Sequence, residues 1–261
     1  MRWLPIFNRA KSFILVFLPF CGALIVWEVV YRLGLYSPHL FPGPSSVGPA
    51  LLEMYRSGEL IEDLKASSFR WVSGYTIGTV CGIAFGMFCG RIKLVQALFA
   101  GLFNGLSSIP KIVLIPLSIL WFGLGETQKL ALVAWGAFFP VWLYSMEAVL
   151  RAPVELVWLA RTYKFSPWQA FWHFWGPSSI PHIVAGMRVG ISTATFSLAA
   201  AEMSGAFSGL AYRVFYSYEM FQTDKMMAGI VLITALSWLL NFLFMKFVDL
   251  FAPWAAQSIG E

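Results

Sequence analysis

Apolar runs long enough to cross a membrane recur along this chain, separated by short polar breaks. They fall at about 12–31, 69–90, 94–122, 128–150, 179–201 and 226–248. Each is near or above the ~20 residues that a helix needs to span a hydrocarbon core. A helix satisfies its own backbone in lipid, so the pattern predicts an all-α integral membrane protein with six transmembrane helices. The breaks differ in character. Residues 32–68 hold the turn-like SPHLFPGPSS and then a short amphipathic piece, LLEMYRSGELIEDLKAS; RIK at 91–93 and GLGET at 123–127 are tight turns. A loop with Gly205 and Gly209 leads through a short helix-like piece to the last span, and a short tail closes the chain.

One break is unlike the rest. PVELVWLARTYKFSPWQAFWHFWGPSSIP, residues 153–181, is half polar, rich in aromatics and too long for a simple turn. Pro153 suits the first turn of a helix on which Leu156, Leu159 and Ala160 share a face with Tyr163. Ser166 then caps a second helix with Pro167 at its first position. In it Trp168, Phe171, Trp172 and Trp175 repeat at helical spacing. GPSSIP is expected to break this helix and turn the chain into the membrane. Two short surface helices result. They suit either the lipid interface or the groove of a soluble partner.

Composition agrees with a membrane protein: 59% hydrophobic and 12% charged residues, a mean hydropathy of +0.71, against roughly a quarter charged in soluble domains. The net charge of +5 therefore reads as basic ends and loops on the cytoplasmic side, not as a nucleic-acid footprint. Arg2, Arg9, Lys11, Arg91, Lys93, Arg151, Arg161 and Lys164 lie in the head, the RIK turn and residues 151–181, against Glu155, Asp249 and Glu261 there and in the tail. This bias puts both termini, RIK and the amphipathic stretch in the cytoplasm. Arg2, Arg9 and Lys11 before an apolar run mimic a signal peptide, but no A-x-A site follows, and in LPFC the bulky Phe20 precedes Cys21. The run reads as a retained first span of signal-anchor type. Cys21, Cys81 and Cys89 sit in apolar runs and read as buried small hydrophobes, not disulfide partners.

Glycine writes a ridge on the second span: Gly74, Gly78, Gly82, Gly86 and Gly90 recur every four residues. They share one helix face, bare of side chains, and predict close packing of another helix. Gly101 with Gly105, and Gly186 with Gly190, repeat the idea more weakly. The third span, SSIPKIVLIPLSILWFG, is interrupted by Pro110 and Pro116, and broken helices in a bilayer are tolerated where they line a cavity or pack on protein. Lys111 between the prolines either lines a pathway or snorkels to the interface. Arg188 in AGMRVGIS either makes an ion pair or helix contact or meets substrate. Glu202 in AAEMSG either braces a gate or is a solvated cap on the following loop helix. Trp121 and Trp142 are interfacial or packing aromatics. His39, His173 and His182 form no metal cluster, no phosphate-cradling loop is present, and no nucleophile with its acid and base is visible.

Six motifs follow one another in order between residues 107 and 231: SSIPKIVLIPLSILWFGLGE, WGAFFPVWLYSMEAV, the 153–181 stretch, IPHIVAGMRVGI, AAEMSGAFSGLAYRVF and FQTDKMMAGIV. Together they resemble the membrane subunit of a bacterial ATP-binding-cassette importer, in the family that takes up nitrate, sulfonates, taurine and similar compounds. The resemblance implies a single permease domain over 1–261 of the type I importer kind, with a cytoplasmic coupling segment at 151–178. In that family the segment carries E-A-A, then a glycine, then a hydrophobic-x-L-P pattern, and its helix inserts into a cleft of the ATPase. Here the E-A-A positions are Trp158, Leu159 and Ala160, the glycine position is Lys164, and the L-P is Gly176 and Pro177. Only Ala160 and Pro177 keep the pattern. Carried over with them as ATPase contacts are Arg161 and Trp168.

The implied partners are a second permease subunit, identical or similar, two ATP-binding subunits that hold ATP and magnesium, an extracytoplasmic substrate-binding protein, and membrane lipid. This chain itself is expected to hold no cofactor or metal and to perform no catalysis. A translocation path past Lys111, Pro116, Phe139, Arg188 and Glu202 is expected in the bacterial inner membrane. The cargo is a small solute, with an oxyanion such as nitrate, sulfonate, taurine or bicarbonate suggested by the family and by two cations. A self-contained channel or ion-coupled transporter, and a non-transporting scaffold, are the competing readings.

Overall fold

The structure, a computed structural model, describes residues 18–255 apart from Phe20, Pro38, His39 and Ala152, and omits the side chains of Val154, Val157, Arg161, Pro167 and Phe171. The basic head, the first six residues of the first expected span, His39 and the end of the tail thus lie outside the described residues. Among the described residues all regular structure is helical: α1 (21–32), α2 (Pro44–Ser57), α3 (Glu59–Arg91), α4 (Lys93–Ser107), a 3-10 turn (Lys111–Leu114) and α5 (Ile115–Phe122) come first. Next are α6 (Glu126–Leu150), α7 (Val154–Thr162), α8 (Pro167–Ala170) running into a π turn (Phe171–Trp175), α9 (Gly176–Met203), α10 (Leu210–Glu219) and α11 (Thr223–Phe251).

Two sequence expectations change. LLEMYRSGELIEDLKAS is not a separate piece in a loop. Gly58, at φ 84°, ends α2 and α3 starts at the next residue. No proline or glycine follows until Gly74, so nothing stops α3 from beginning ten residues before the apolar run. GPSSIP does not break the chain either. The π turn passes directly into α9, and Pro177 falls in its first turn, where a missing N–H costs nothing. The Trp175 carbonyl, at the join, accepts the hydroxyls of Ser178 (3.0 Å) and Ser179 (2.7 Å).

The chain forms two compact units: one up to Ile61 with Arg213–Val231, the other Glu62–Tyr212 with Leu232 onward. In the first, Trp27 Nε1 donates to the Pro42 carbonyl at 3.0 Å, and Glu28 accepts from Arg32 (2.6 Å) and the Ser45 amide (3.1 Å). Lys225–Glu53 (2.8 Å) and Arg213–Glu59 (3.1 Å) clip its later residues to its earlier ones.

The second unit is built on the α3 ridge. A Cβ at Gly74 would lie 2.6 Å from Val133 Cβ, at Gly82 2.9 Å from the Phe138 carbonyl, at Gly86 2.5 Å from the Trp142 carbonyl, and at Gly90 2.7 Å from Val149 Cβ. At Gly78 it would overlap the Ala134 carbonyl. Contacts climb together along both helices, so α3 and α6 run parallel with their backbones touching. α9 packs antiparallel on α6: Thr193 Oγ1 donates to the Gly136 carbonyl at 2.7 Å, and a Cβ at Gly186 would lie 2.5 Å from Tyr144 Cβ. Gly190 meets Val141 similarly, whereas Gly101 and Gly105 have nothing within 4 Å. Trp71 Nε1 to Thr195 Oγ1 (3.0 Å) and Tyr75 Oη to the Met187 carbonyl (2.9 Å) tie α3 to α9. The later part of α11 covers this face through Leu240, Phe244 and Val248.

Among the described residues, four stretches are long and apolar enough to cross a membrane: α3, α6, Trp168–Met203 and α11. α4 and the Lys111–Phe122 piece pass the same test together but bend by 96° between them. Ser107 and Ser108 turn their hydroxyls back to the Asn104 carbonyl (2.8 and 3.0 Å) just before Pro110, which ends α4. Because α3 and α6 are parallel, the residues between them must return the chain to the end from which α3 started. The bent pair lies on that return path.

Candidate functional site

The parallel α3 and α6 give the second unit two ends with different chemistry. Where α3 and α6 finish lies the 153–181 stretch. Trp158 and Leu159 project from α7 (63% and 41% exposed), while Ala160 is buried. The helix is closed by Tyr163 N–H to the Leu159 carbonyl (3.1 Å) and Phe165 N–H to the Ala160 carbonyl (3.0 Å). That closure is a Schellman turn, and it holds Lys164 at φ 51°, a conformation that favours glycine. The expected cap is present: the Gln169 amide donates to Ser166 Oγ (3.3 Å) and the Ser166 amide to Gln169 Oε1 (3.0 Å). Trp168 and Trp172 are exposed and meet edge to face at 5.6 Å. Phe165 packs on Phe174 at 5.3 Å, fixing the loop after α7 to the π turn. Pro177 is exposed at the second residue of α9, and Arg151 pairs with Glu147 at 3.3 Å. The Arg161 side chain lies outside the described residues.

At the opposite end lies a polar cluster that is buried except for the half-exposed Glu126. Arg70, 4% exposed, forks onto Glu126, with Nε to Oε2 at 2.7 Å and Nη2 to Oε1 at 2.6 Å. Its Nη1 donates to Glu202 Oε1 (3.0 Å) and to the Ser208 carbonyl (2.6 Å). Three successive backbone amides at the start of α10 find side-chain acceptors: Gly209 on Asp63 (2.8 Å), Leu210 on Ser67 (2.8 Å) and Ala211 on Glu202 (2.9 Å). Ser67 in turn donates to Glu202 at 2.7 Å. The carboxylates face the positive end of α10. Gly209, at φ 131°, leaves no room for a side chain beside the Glu202 carboxylate. Glu202 does cap the loop helix, but it is 0% exposed, so the solvated version of that reading is wrong. Sequence reasoning missed Asp63, Ser67, Arg70 and Glu126. The signal was available: the first three fall at i, i+4 and i+7, on one face of a helix.

The other singled-out residues scatter. Lys111 is half-buried at the break, in a 3-10 turn that packs on α6 and α9. Pro116 is exposed at the start of α5. Phe139 is buried among Phe103, Trp135 and Phe138 at centroid distances of 5.0–5.8 Å. Arg188 is exposed near the middle of α9, in line with Ser192 and Phe196, and pairs with no acid among the described residues. Trp142 is a packing residue, buried on Phe103 at 5.0 Å, whereas Trp121 is exposed. All three cysteines are free. Cys89 is buried as expected, but Cys21 and Cys81 lie on outer faces and are exposed. Among the described residues no His, Cys, Asp and Glu group could hold a metal.

Residues 82–257 match the family described as the binding-protein-dependent transport system inner membrane component. The chain belongs to that family. It is a permease subunit of an ATP-binding-cassette transporter, a multi-pass membrane protein and not an enzyme. SsuC of Bacillus subtilis (strain 168), named for aliphatic sulfonates transport, is 31% identical over 209 residues, 80% of this chain and 76% of that protein. The taurine transport system permease protein TauC of Escherichia coli (strain K12) is 28% identical over 239 residues, 90% of this chain and 87% of its own length. The fold is also that of a chain in an inward-facing structure of the MetNI methionine ABC transporter. There the TM-score is 0.60 at 21% identity, over 73% of this chain and 94% of that one.

Proposed function

We propose that this subunit forms the translocation path of an ATP-driven importer for a small oxyanion of the sulfonate or taurine class. In this reading α1 and the residues before it supply the sixth crossing, and both termini lie in the cytoplasm of a bacterial cell, with the subunit in its inner membrane. A second permease chain, two ATP-binding subunits carrying ATP and magnesium, and an extracytoplasmic binding protein complete the machine. Sulfonate- and taurine-named relatives support the cargo class. Arg188 supports a path at the seam between two permease chains. A cation at mid-span is costly against lipid and is retained where protein or water covers it. Lys111, Pro116, Phe139 and Glu202 belong to the same proposed path, with Glu202 bracing its outer end.

The observation that carries this reading is the exposed surface of α7 at the end of the unit bearing the basic RIK turn. Trp158, Leu159 and Tyr163 stand uncovered on a helix whose C-terminal end is closed by hydrogen bonds. Aromatics of this kind anchor interfaces when a partner desolvates them. The four departures from the family pattern change side chains, yet Lys164 keeps the backbone conformation that a glycine would adopt. That favours a coupling segment fitted to its own ATPase over a disused one. Cysteine placed at Leu159 or Lys164 is expected to crosslink to an ATP-binding subunit in the assembled transporter. Labelling of both positions only by lipid-phase probes, or uptake by the purified chain alone, would overturn the proposal.

A further inference from the structure

At the coupling end the π turn carries a contact that the sequence did not announce. Arg91, the last residue of α3, sets its guanidinium 4.7 Å from the centroid of the Trp175 ring, the last residue of the π turn. A π turn is uncommon and recurs at functional joints. This one sits where α8 passes into α9, next to the proline shared with the family pattern. Its other face is gripped from the α7 side, where Phe165 meets Phe174 edge to face at 5.3 Å and lies over His173 at 6.1 Å. The joint thus has three attachments: α7 through the Phe165 ring, α9 through the backbone, and α3 through Arg91.

We infer that Arg91 is a positioning residue for coupling: by clasping Trp175 it delivers movement of the surface helices to α3 as well as to α9. α3 and α9 both pack backbone-close on α6, through the glycine ridge and through Gly136 and Gly186. A push on α9 alone would shear it against α6. A push shared with α3 moves the three helices together. Arg91 is exposed and makes no ion pair among the described residues, so its cation is available to the ring. The inference rests on the proposed docking of α7 to an ATPase.

The test uses the complete transporter in proteoliposomes and reads substrate moved per ATP hydrolysed. Arg91→Gln and Trp175→Leu are each expected to lower that ratio by about threefold or more, the bias one cation–π contact supplies. The double variant should be no worse than the poorer single one, and Arg91→Lys should recover part of the loss because a cation remains. An unchanged ratio in Arg91→Gln, or losses that multiply in the double variant, would overturn the role of the clasp. A Leu159→Cys crosslink to the ATPase is run alongside. If it persists in Arg91→Gln with the ratio unchanged, only this inference fails. If it is absent in the parent, the docking reading fails and the inference with it. Arg91 lies at an exposed helix end, so its variants keep the test valid should Trp175→Leu not fold.

Discussion

Replacing Gly86 by alanine adds one carbon to the chain, and the α3–α6 seam has no space for it. The new Cβ would stand 2.5 Å from the Trp142 carbonyl oxygen and 2.7 Å from Ser145 Cβ. Comfortable contact begins at about 3.5 Å, so the shortfall is about 1 Å. One of the two atoms nearest the new carbon is main chain of α6, so no rotamer change relieves the contact fully and the helices must separate. A gap of that size forfeits roughly a quarter to a half of each dispersion contact it opens. It opens along a ridge of several turns. Overpacking of this kind costs about 1–3 kcal/mol. At roughly 2–4 °C per kcal/mol for a chain near this size, the melting temperature in detergent should fall by about 2–12 °C. Gly101→Ala is the matched control. Its Cβ meets nothing within 4 Å, and alanine is the better helix former by about 1 kcal/mol, so that variant should melt at or slightly above the parent. Equal melting of Gly86→Ala and Gly101→Ala would refute the close-packed seam.

Two further substitutions follow from the ends of the second unit. Arg70→Met strands the buried Glu202 carboxylate and should destabilise by about 3–5 kcal/mol; Glu126, 52% exposed, is rehydrated more easily, so Glu126→Gln should cost clearly less, and thermal melts giving the opposite order would remove Arg70 from the centre of the cluster. Ser166→Ala loses the cap of α8 and should cost about 1 kcal/mol locally, read as faster amide exchange at Gln169 and Ala170; unchanged exchange there would count against the cap.

Much of the fold was legible because lipid imposes it. Runs near twenty apolar residues can only be helices, and a four-residue glycine period can only mark one face. Ser166 and Pro167 spelled a helix start in local chemistry alone. What escaped was set by tertiary contact. Hydropathy placed the start of the second span at 69, after Asp63 and Ser67, because charged and hydroxyl residues lower an average whether or not they have partners. Their partners, Glu202 and the amides of Gly209 and Leu210, lie 135 to 146 positions away. Gly101 and Gly105 carry the same spacing as the ridge yet touch nothing, since the period defines a face but not what covers it. Cys21 and Cys81 were expected inside for their apolar surroundings, but in a membrane protein an apolar run also faces outward to lipid.

Lys164 joins the sequence pattern to the structure. The family pattern has glycine there, and the backbone adopts φ 51°, where a side chain costs about 1–2 kcal/mol. The two hydrogen bonds that close α7 need that conformation, so the chain keeps the strain instead of opening the turn. Lys164→Gly should therefore stabilise the free subunit by about 1 kcal/mol, seen as a small rise in melting temperature. A lysine retained against that cost makes sense if its ammonium gains a partner on assembly. The same variant should then bind the ATPase subunit more weakly while melting higher alone. A variant that melts lower in isolation would show that the left-handed turn is not strained. One that melts higher and also binds the ATPase more tightly would show that the lysine side chain contributes nothing to the interface.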